Sequence, residues 1–255
     1  MRLTIEKANA FIQDHRDSVN PQFKPDIHFS APIGWINDPN GFVYFRGEYH
    51  LFYQYYPYGS FWGPMHWGHA KTKDFVTWEH LPVALAPDKE YDKDGCFSGS
   101  ALVKDDTLWL MYTGHIVHED GRVSQVQNIA YSTDGIHFEK IEENPVATGD
   151  ILPPDLIAAD FRDPKLFEKD GHYYAVVAAK HKDERGTVVL LGSDDLRNWH
   201  FESIFLKGEA HQGFMWECPD FFEVDGQAYI LVSPMRYQET DHDFRNLNSS
   251  VLIAG

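Results

Sequence analysis

The feature that most constrains this chain is a repeat. A short apolar run, a tight turn and a second apolar run recur four times. Residues 41–45 lead through Arg46-Gly47 into residues 49–54, and residues 98–103 lead through Asp105-Asp106 into residues 108–112. Residues 164–167 turn at Asp170-Gly171 into residues 173–177, and residues 220–223 turn at Asp225-Gly226 into residues 228–232. Gly and Asp suit the turn conformations that join paired strands, so each unit reads as a β-hairpin. A second element follows the first three hairpins: a strand, a turn, and an aromatic that opens another strand. Its copies are residues 70–78, 131–138 and 192–199, and their Asp74, Asp134 and Asp195 lie 60 and 61 residues apart.

Each unit therefore holds about four strands, and four-stranded units repeated around an axis make a β-propeller. A β-sandwich of similar hairpins is the alternative, and the regular period disfavours it. Three units are complete, and a fourth reaches its third strand at residues 251–255, so the chain is expected to stop within blade four. Residues 3–17 stand apart as one amphipathic helix with Leu3, Ala10 and Phe11 on a face. The expected division is a helical lead-in over residues 1–25 and an incomplete propeller over residues 26–255.

Composition narrows the partners. A formal net charge of −17 argues against nucleic acid and anionic membrane, both of which need a basic surface. Seven Trp and thirteen Tyr suit pleated sheets and the faces of sugars. Two cysteines, Cys96 and Cys218, are too few for a disulfide framework and are expected to be free thiols. Residues 1–7 lack the apolar run of a secretion signal, and no stretch approaches a membrane span, which points to the cytoplasm. His66 and His69 do not form a convincing ligand spacing, so no metal and no cofactor is expected. The oligomeric state is not legible.

Aligned on their turns, the hairpins share a further property. Asp38 stands nine residues before Gly47, Asp163 eight before Gly171, and Glu217 nine before Gly226; in the second unit the equivalent place is Ser98. First strands line the axis of a propeller, so these positions predict three acids gathered in one funnel. Crowded carboxylates drive their proton affinities apart and yield a donor beside an anion. Two carboxylates flanking a sugar bond are the equipment of glycoside hydrolysis. Singly, each acid has a plain reading as a turn, a local ion pair or a surface loop. Their joint position in the repeat is what points to chemistry.

Trp35-Ile36-Asn37-Asp38-Pro39-Asn40-Gly41, Phe97-Ser98-Gly99-Ser100, Arg162-Asp163-Pro164 and Trp216-Glu217-Cys218-Pro219-Asp220 resemble the signature blocks of glycoside hydrolase family 32, the invertase and sucrose-6-phosphate hydrolase family. Phe52-Tyr53-Gln54 and residues 65–70 match neighbouring blocks, and Ile36 replaces a more usual Met. The resemblance implies a five-bladed propeller followed by a C-terminal β-sandwich. It implies that Asp38 is a nucleophile, that Glu217 is the acid and base, and that Asp163 holds fructose hydroxyls, with Arg162 keeping Asp163 ionised. It also implies that Trp35, Ile36, Asn37, Gln54, Trp62, Phe97, Ser98, Arg162 and Cys218 line the sugar site. Cys218 reads equally as a tuner of Glu217 or as a small buried hydrophobe.

Loops joining second and third strands should rim the funnel. They carry Lys180 and His181 in the third unit and Arg236 in the fourth, a candidate site for a sugar 6-phosphate, with solvated loop charges as the alternative. The rivals are an enzyme acting on unphosphorylated sucrose or fructan, a sugar-binding propeller without catalysis, and an interaction scaffold. Only the first would keep all three acids in use.

Overall fold

A computed structural model describes residues 2–25 and 27–255. Met1 and Asp26 lie outside the described residues, so the expected boundary between residues 25 and 26 falls on a position that is not described. The fold is built from four antiparallel sheets. The first holds β1 (Trp35–Phe45), β2 (Glu48–Tyr56), β3 (His66–Thr72) and β4 (Glu79–Leu85) in that order. The second holds β5 (Gly95–Lys104), β6 (Thr107–Val117), β7 (Val123–Ser132) and β8 (Glu139–Lys140). The third holds β9 (Arg162–Lys169), β10 (His172–His181), β11 (Arg185–Ser193) and β12 (His200–Lys207). The fourth has three strands, β13 (Met215–Val224), β14 (Gln227–Met235) and β15 (Val251–Ala254). The first strands β1, β5, β9 and β13 are neighbours across the sheets, as blades around an axis require. The described residues thus hold four blades, the fourth with three strands, and not the five that the family resemblance implied.

Local chemistry explains the repeat. Both residues of every inner hairpin turn have positive φ: Arg46-Gly47, Asp105-Asp106, Asp170-Gly171 and Asp225-Gly226. That is the two-residue turn whose twist matches paired strands, and Gly or Asp enters it most cheaply. The outer turns repeat as well. Asp74, Asp134 and Asp195 each accept two backbone N–H bonds, at 2.7–2.9 Å, from the residues two and three positions ahead. The spacing noticed in the sequence is therefore the spacing of one turn design.

Cores form between blades. Phe52, Trp67 and Leu85 of the first meet Cys96, Leu110 and Phe138 of the second. Met111 and Ile129 of the second meet Leu166, Val177 and Leu191 of the third. Val176 and Val188 of the third meet Trp216, Ile230 and Val232 of the fourth. Adjacent residues Val176 and Val177 serve opposite cores, which is why β10 reads as a continuous apolar run.

The N-terminal helix α1 (Ile5–His15) starts at Thr4, whose side chain accepts the Lys7 N–H. It packs on the first blade through Ile5, Ala8 and Ile12, beside Tyr53, Tyr55 and Val83. This corrects the expected face: Ala10 is exposed, because the stripe that fits the sheet is spaced 5, 8, 12.

Candidate active site

The ladder between first and second strands carries an extra residue at its axial end in the first strand of every blade, and blade one has a second between Asn40 and Val43. The axial bulge lies between Ile36 and Pro39, between Phe97 and Gly99, between Arg162 and Lys165, and between Glu217 and Asp220. A bulge re-aims side chains that would otherwise alternate across the sheet. Here it gathers Asp38, Ser98, Asp163 and Cys218 near the axis. Asp163 and Cys218, each before a proline, adopt left-handed backbone with φ of 62° and 48°. Such backbone is uncommon outside glycine and persists only where the surroundings enforce it.

The register refines the alignment made from the turns. Glu217 pairs with Ser233 on the rung where Arg162 pairs with Ala178, and Cys218-Pro219 stands where Asp163-Pro164 does. Glu217 is therefore one rung off the position of Asp163, and Cys218 occupies that position. The difference matters, because it sets Glu217 beside Arg162 and not beside a second acid.

The contacts tie all four blades together. Ser98 Oγ donates to Asp38 Oδ2 at 2.9 Å. The Cys218 N–H donates to Asp163 Oδ2 at 3.0 Å, and the Cys218 Sγ lies 3.6 Å from that oxygen and 3.9 Å from Asp38 Oδ2. Arg162 donates from Nη2 to Glu217 Oε1 at 2.8 Å and from Nη1 to Asp160 at 3.1 Å, while its Nε stays 3.8 Å from Asp163. A cavity of about 330 Å³ runs along the axis, lined by the first strands of all four blades. Ser98, Asp163 and Cys218 border it, while Asp38 and Glu217 stand outside its lining.

Electrostatics follow from burial. Asp163 is 6% exposed, and burial pushes its carboxyl up to about 6. Arg162 and the Cys218 amide pull the other way, and the charges of Glu217 and Asp38 add to the rise. Arg162 thus favours the charged form, as expected, but its donors are committed to Glu217 and Asp160, and burial outweighs its pull. Desolvation also opposes the Arg162 charge, but Asp163 and Glu217 outweigh it and hold its proton more firmly than usual. Burial, then the charges of Asp163 and Asp38, push the Cys218 thiol well up, so it sits there as a neutral donor.

The other expected residues divide. Trp62 is 54% exposed at the rim and meets the edge of Phe97 at 6.1 Å; Phe97 stacks on His115 at 4.2 Å. Trp35 donates its indole N–H to the exposed Asn37 at 2.8 Å. Gln54 is buried and spends its amide on the Cys96 carbonyl at 2.9 Å, which holds blade one to blade two. Ile36 packs into the cluster under α1 and is not brought to the acids, because it precedes the bulge and faces the helix. Both thiols are free. His69 faces His50 at 2.9 Å inside the sheet, and His66 faces the Pro64 carbonyl. Among the described residues, no group of three or more His, Cys, Asp or Glu is arranged to hold a metal ion, and no helix is long and apolar enough to cross a membrane.

Of the rim cations, Lys180 and Arg236 converge. Lys180 Nζ lies 4.9 Å above the Phe214 ring and the Arg236 guanidinium lies 5.8 Å from it. Phe214 is three residues before Glu217, and Lys180 is two beyond the rung partner of Arg162. Lys180 also pairs with Glu184 at 2.8 Å, and His181 faces Asp183 at 2.7 Å, apart from the other two. Trp216 fixes the approach to Glu217. Its indole donates to the Gln212 carbonyl and its ring occupies the space left by Gly186 and Gly208, where an added Cβ would come within 2.4 Å. Sequence reading missed Asp160, Gln125, Thr113 and Gln127, which surround Arg162 and Asp163. They lie outside the recurring motifs, and only the register shows that Thr113 and Gln127 face each other.

Comparison with known proteins places these features in a family. The profile of the glycosyl hydrolases family 32 N-terminal domain matches residues 28–254. A sucrose-6-phosphate hydrolase of Escherichia coli is 42% identical over 97% of this chain and 51% of its own length. A levanase of Bacillus subtilis is 45% identical over 88% of this chain and 33% of its own. A mutant β-fructofuranosidase of Bombyx mori, solved in complex with sucrose, superposes with a TM-score of 0.90 at 41% identity, covering 98% of this chain and 52% of that one. The chain spans about half the length, or less, of the relatives it matches.

Proposed function

The chain belongs to glycosyl hydrolase family 32, and from that membership we propose that the protein releases fructose from sucrose 6-phosphate, and from sucrose, with retention of configuration. The observation that carries this reading is the convergence of Asp38, Asp163 and Glu217, from three blades, on the shared partners Ser98, Cys218 and Arg162.

Asp38 attacks the anomeric carbon of the fructosyl unit as the bond to the glucosyl oxygen breaks. Ser98 steadies one carboxylate oxygen through its 2.9 Å bond and leaves the other for attack. Glu217 gives a proton to the departing oxygen, for which it must release or share its contact with Arg162. It then takes a proton from water, and that water displaces Asp38 from the fructosyl carbon. Asp163 holds ring hydroxyls, and the Cys218 amide holds Asp163 in turn. In this reading residues 26–255 form the catalytic unit and residues 1–25 its lead-in.

The phosphorylated substrate is supported by Lys180 and Arg236 about Phe214, three residues before Glu217, and this reading puts the glucosyl half on that side. A phosphorylated disaccharide is met inside cells, which is consistent with a cytoplasmic enzyme. The second reading, an invertase or fructanase on unphosphorylated sugars, is favoured by the similarity to a levanase.

The test is direct. Asp38→Asn should abolish reducing-sugar release from both substrates. Glu217→Ala should spare a β-fructoside with a good leaving group more than sucrose, because only the poor leaving group needs the proton. An Asp38→Asn variant with ordinary activity would overturn the assignment, and wild-type protein that binds sugar without cleaving it would favour a binding propeller.

A further inference from the structure

A chain of buried hydrogen bonds starts and ends on the third blade and passes through the second. The Asp163 N–H donates to Thr113 Oγ1 at 2.9 Å. Thr113 Oγ1 donates to Gln127 Oε1 at 2.8 Å. Gln127 Nε2 donates to the Phe161 carbonyl at 2.8 Å. Thr113, Gln127 and Phe161 are all 0% exposed. Thr113 Oγ1 accepts one bond and donates another, each amide atom of Gln127 has one partner, and water has no access, so the chain has a single satisfied arrangement.

That arrangement grips both sides of Arg162. Phe161 is held by its carbonyl and Asp163 by its amide, so the backbone carrying Arg162 and Asp163 is pinned at two points. Asp163 needs such a hold. Its φ of 62° is disfavoured for a residue with a side chain, and a proline follows it. Its carboxylate has one strong partner, the Cys218 N–H, so the backbone decides where that carboxylate points. Thr113 and Gln127 face each other on β6 and β7 in otherwise well-packed sheet. Two polar side chains buried at facing positions cost more than an apolar pair unless their hydrogen bonds are put to use.

We propose that Thr113 and Gln127 are positioning residues: they hold the left-handed backbone of Asp163 so that its carboxylate meets the fructosyl ring. They touch no substrate and act through Asp163. The proposal rests on the fructosidase reading of the site.

Thr113→Val tests it, since Val has the shape of Thr and neither accepts nor donates. In the full chain, kcat on sucrose should fall on the order of tenfold to a hundredfold, the size expected from misplacing a catalytic group by about 1 Å. Thr113→Ser should restore it. In an Asp163→Asn background, Thr113→Val should add little to the residual loss, because the carboxylate it positions is gone. Thr113→Ala serves where Thr113→Val does not fold, because the space it leaves admits a water that satisfies the freed amide. The Asp163 carboxyl titration, followed by carbon NMR, should move in Thr113→Val and return in Thr113→Ser. Unchanged kcat in folded Thr113→Val, or an equal loss with and without Asp163, would overturn the proposal. Wild-type protein inactive on both sugars would defeat the fructosidase reading instead, and the titration would still decide whether the brace holds Asp163.

Discussion

Replacing Asp163 with Asn should make the protein more stable at neutral pH while disabling it. Burial lifts the Asp163 pKa from its ordinary 3.8 to about 6. The native state therefore holds this proton more tightly than the unfolded chain does. Below pH 3.8 both states are protonated, and the carboxyl is accommodated without charge. Between 3.8 and about 6 the unfolded chain releases its proton first, so stability falls as pH rises. Above about 6 both states are ionised and the loss is complete. At 1.36 kcal/mol per pH unit, the rise from 3.8 corresponds to about 3 kcal/mol. Asn has nearly the same shape, never ionises, and its Oδ1 can still accept the Cys218 N–H. Urea unfolding of both proteins from pH 4 to 8 isolates the effect, since every other titrating group is shared. The difference should grow in favour of Asn by about 2 kcal/mol between pH 4 and pH 7, the rest of the change falling below pH 4, and then stay level. A difference independent of pH, or one that grows in favour of Asp, would mean that the buried carboxyl is not destabilised by its surroundings. Reducing-sugar release by Asp163→Asn should fall sharply at every pH, which separates stability from function at one residue.

Two further outcomes follow from the proposed function. With Asp38 as nucleophile, the first sugar released from a β-fructoside should be β-fructose by NMR, and in a sugar-bound structure the Asp38 and Glu217 carboxyls should lie roughly 5–5.5 Å apart; α-fructose formed first would make Asp38 a base for water. Arg236→Ala should raise KM for sucrose 6-phosphate by about tenfold or more, from the loss of a charge-assisted contact of about 1.5–3 kcal/mol, and leave sucrose nearly unchanged; equal weakening of both sugars would remove the phosphate assignment.

The fold was legible because its signals are local and recur. Turn residues with positive φ stand at Gly47, Gly171 and Gly226, and the Asp74, Asp134 and Asp195 turns share one design. Local chemistry printed at a fixed period is visible without knowing what touches what. The acids were legible for the same reason, since each first strand begins at a fixed distance from its turn. What escaped depends on register. The turn count differed by one between Glu217 and Asp163, a difference the grouping of the three acids passed over, and the ladder shows that it is real: Glu217 stands level with Arg162. Ile36 lies within the same recognisable block as Asp38, yet it serves the helix cluster. Thr113 and Gln127 were hidden because a buried polar residue in an apolar strand looks like noise until its partner across the ladder is known.

The four bulges show how one scaffold device accommodates several jobs. The same extra residue sits near the axis in every blade, yet blade one offers Asp38, blade two Ser98, blade three Asp163 and blade four Cys218. Four acids there would repel one another within a small volume. Ser98 instead donates to Asp38, and Cys218 donates its amide to Asp163, so each anion faces a neutral donor from another blade. The remaining carboxylate, Glu217, is displaced by one rung onto Arg162. Three otherwise similar carboxylates thereby stand in three environments set by the scaffold itself, one facing a hydroxyl, one deeply buried and one on a guanidinium. A different partner for each carboxylate is how one repeated device lets three like side chains take different parts in the proposed reaction.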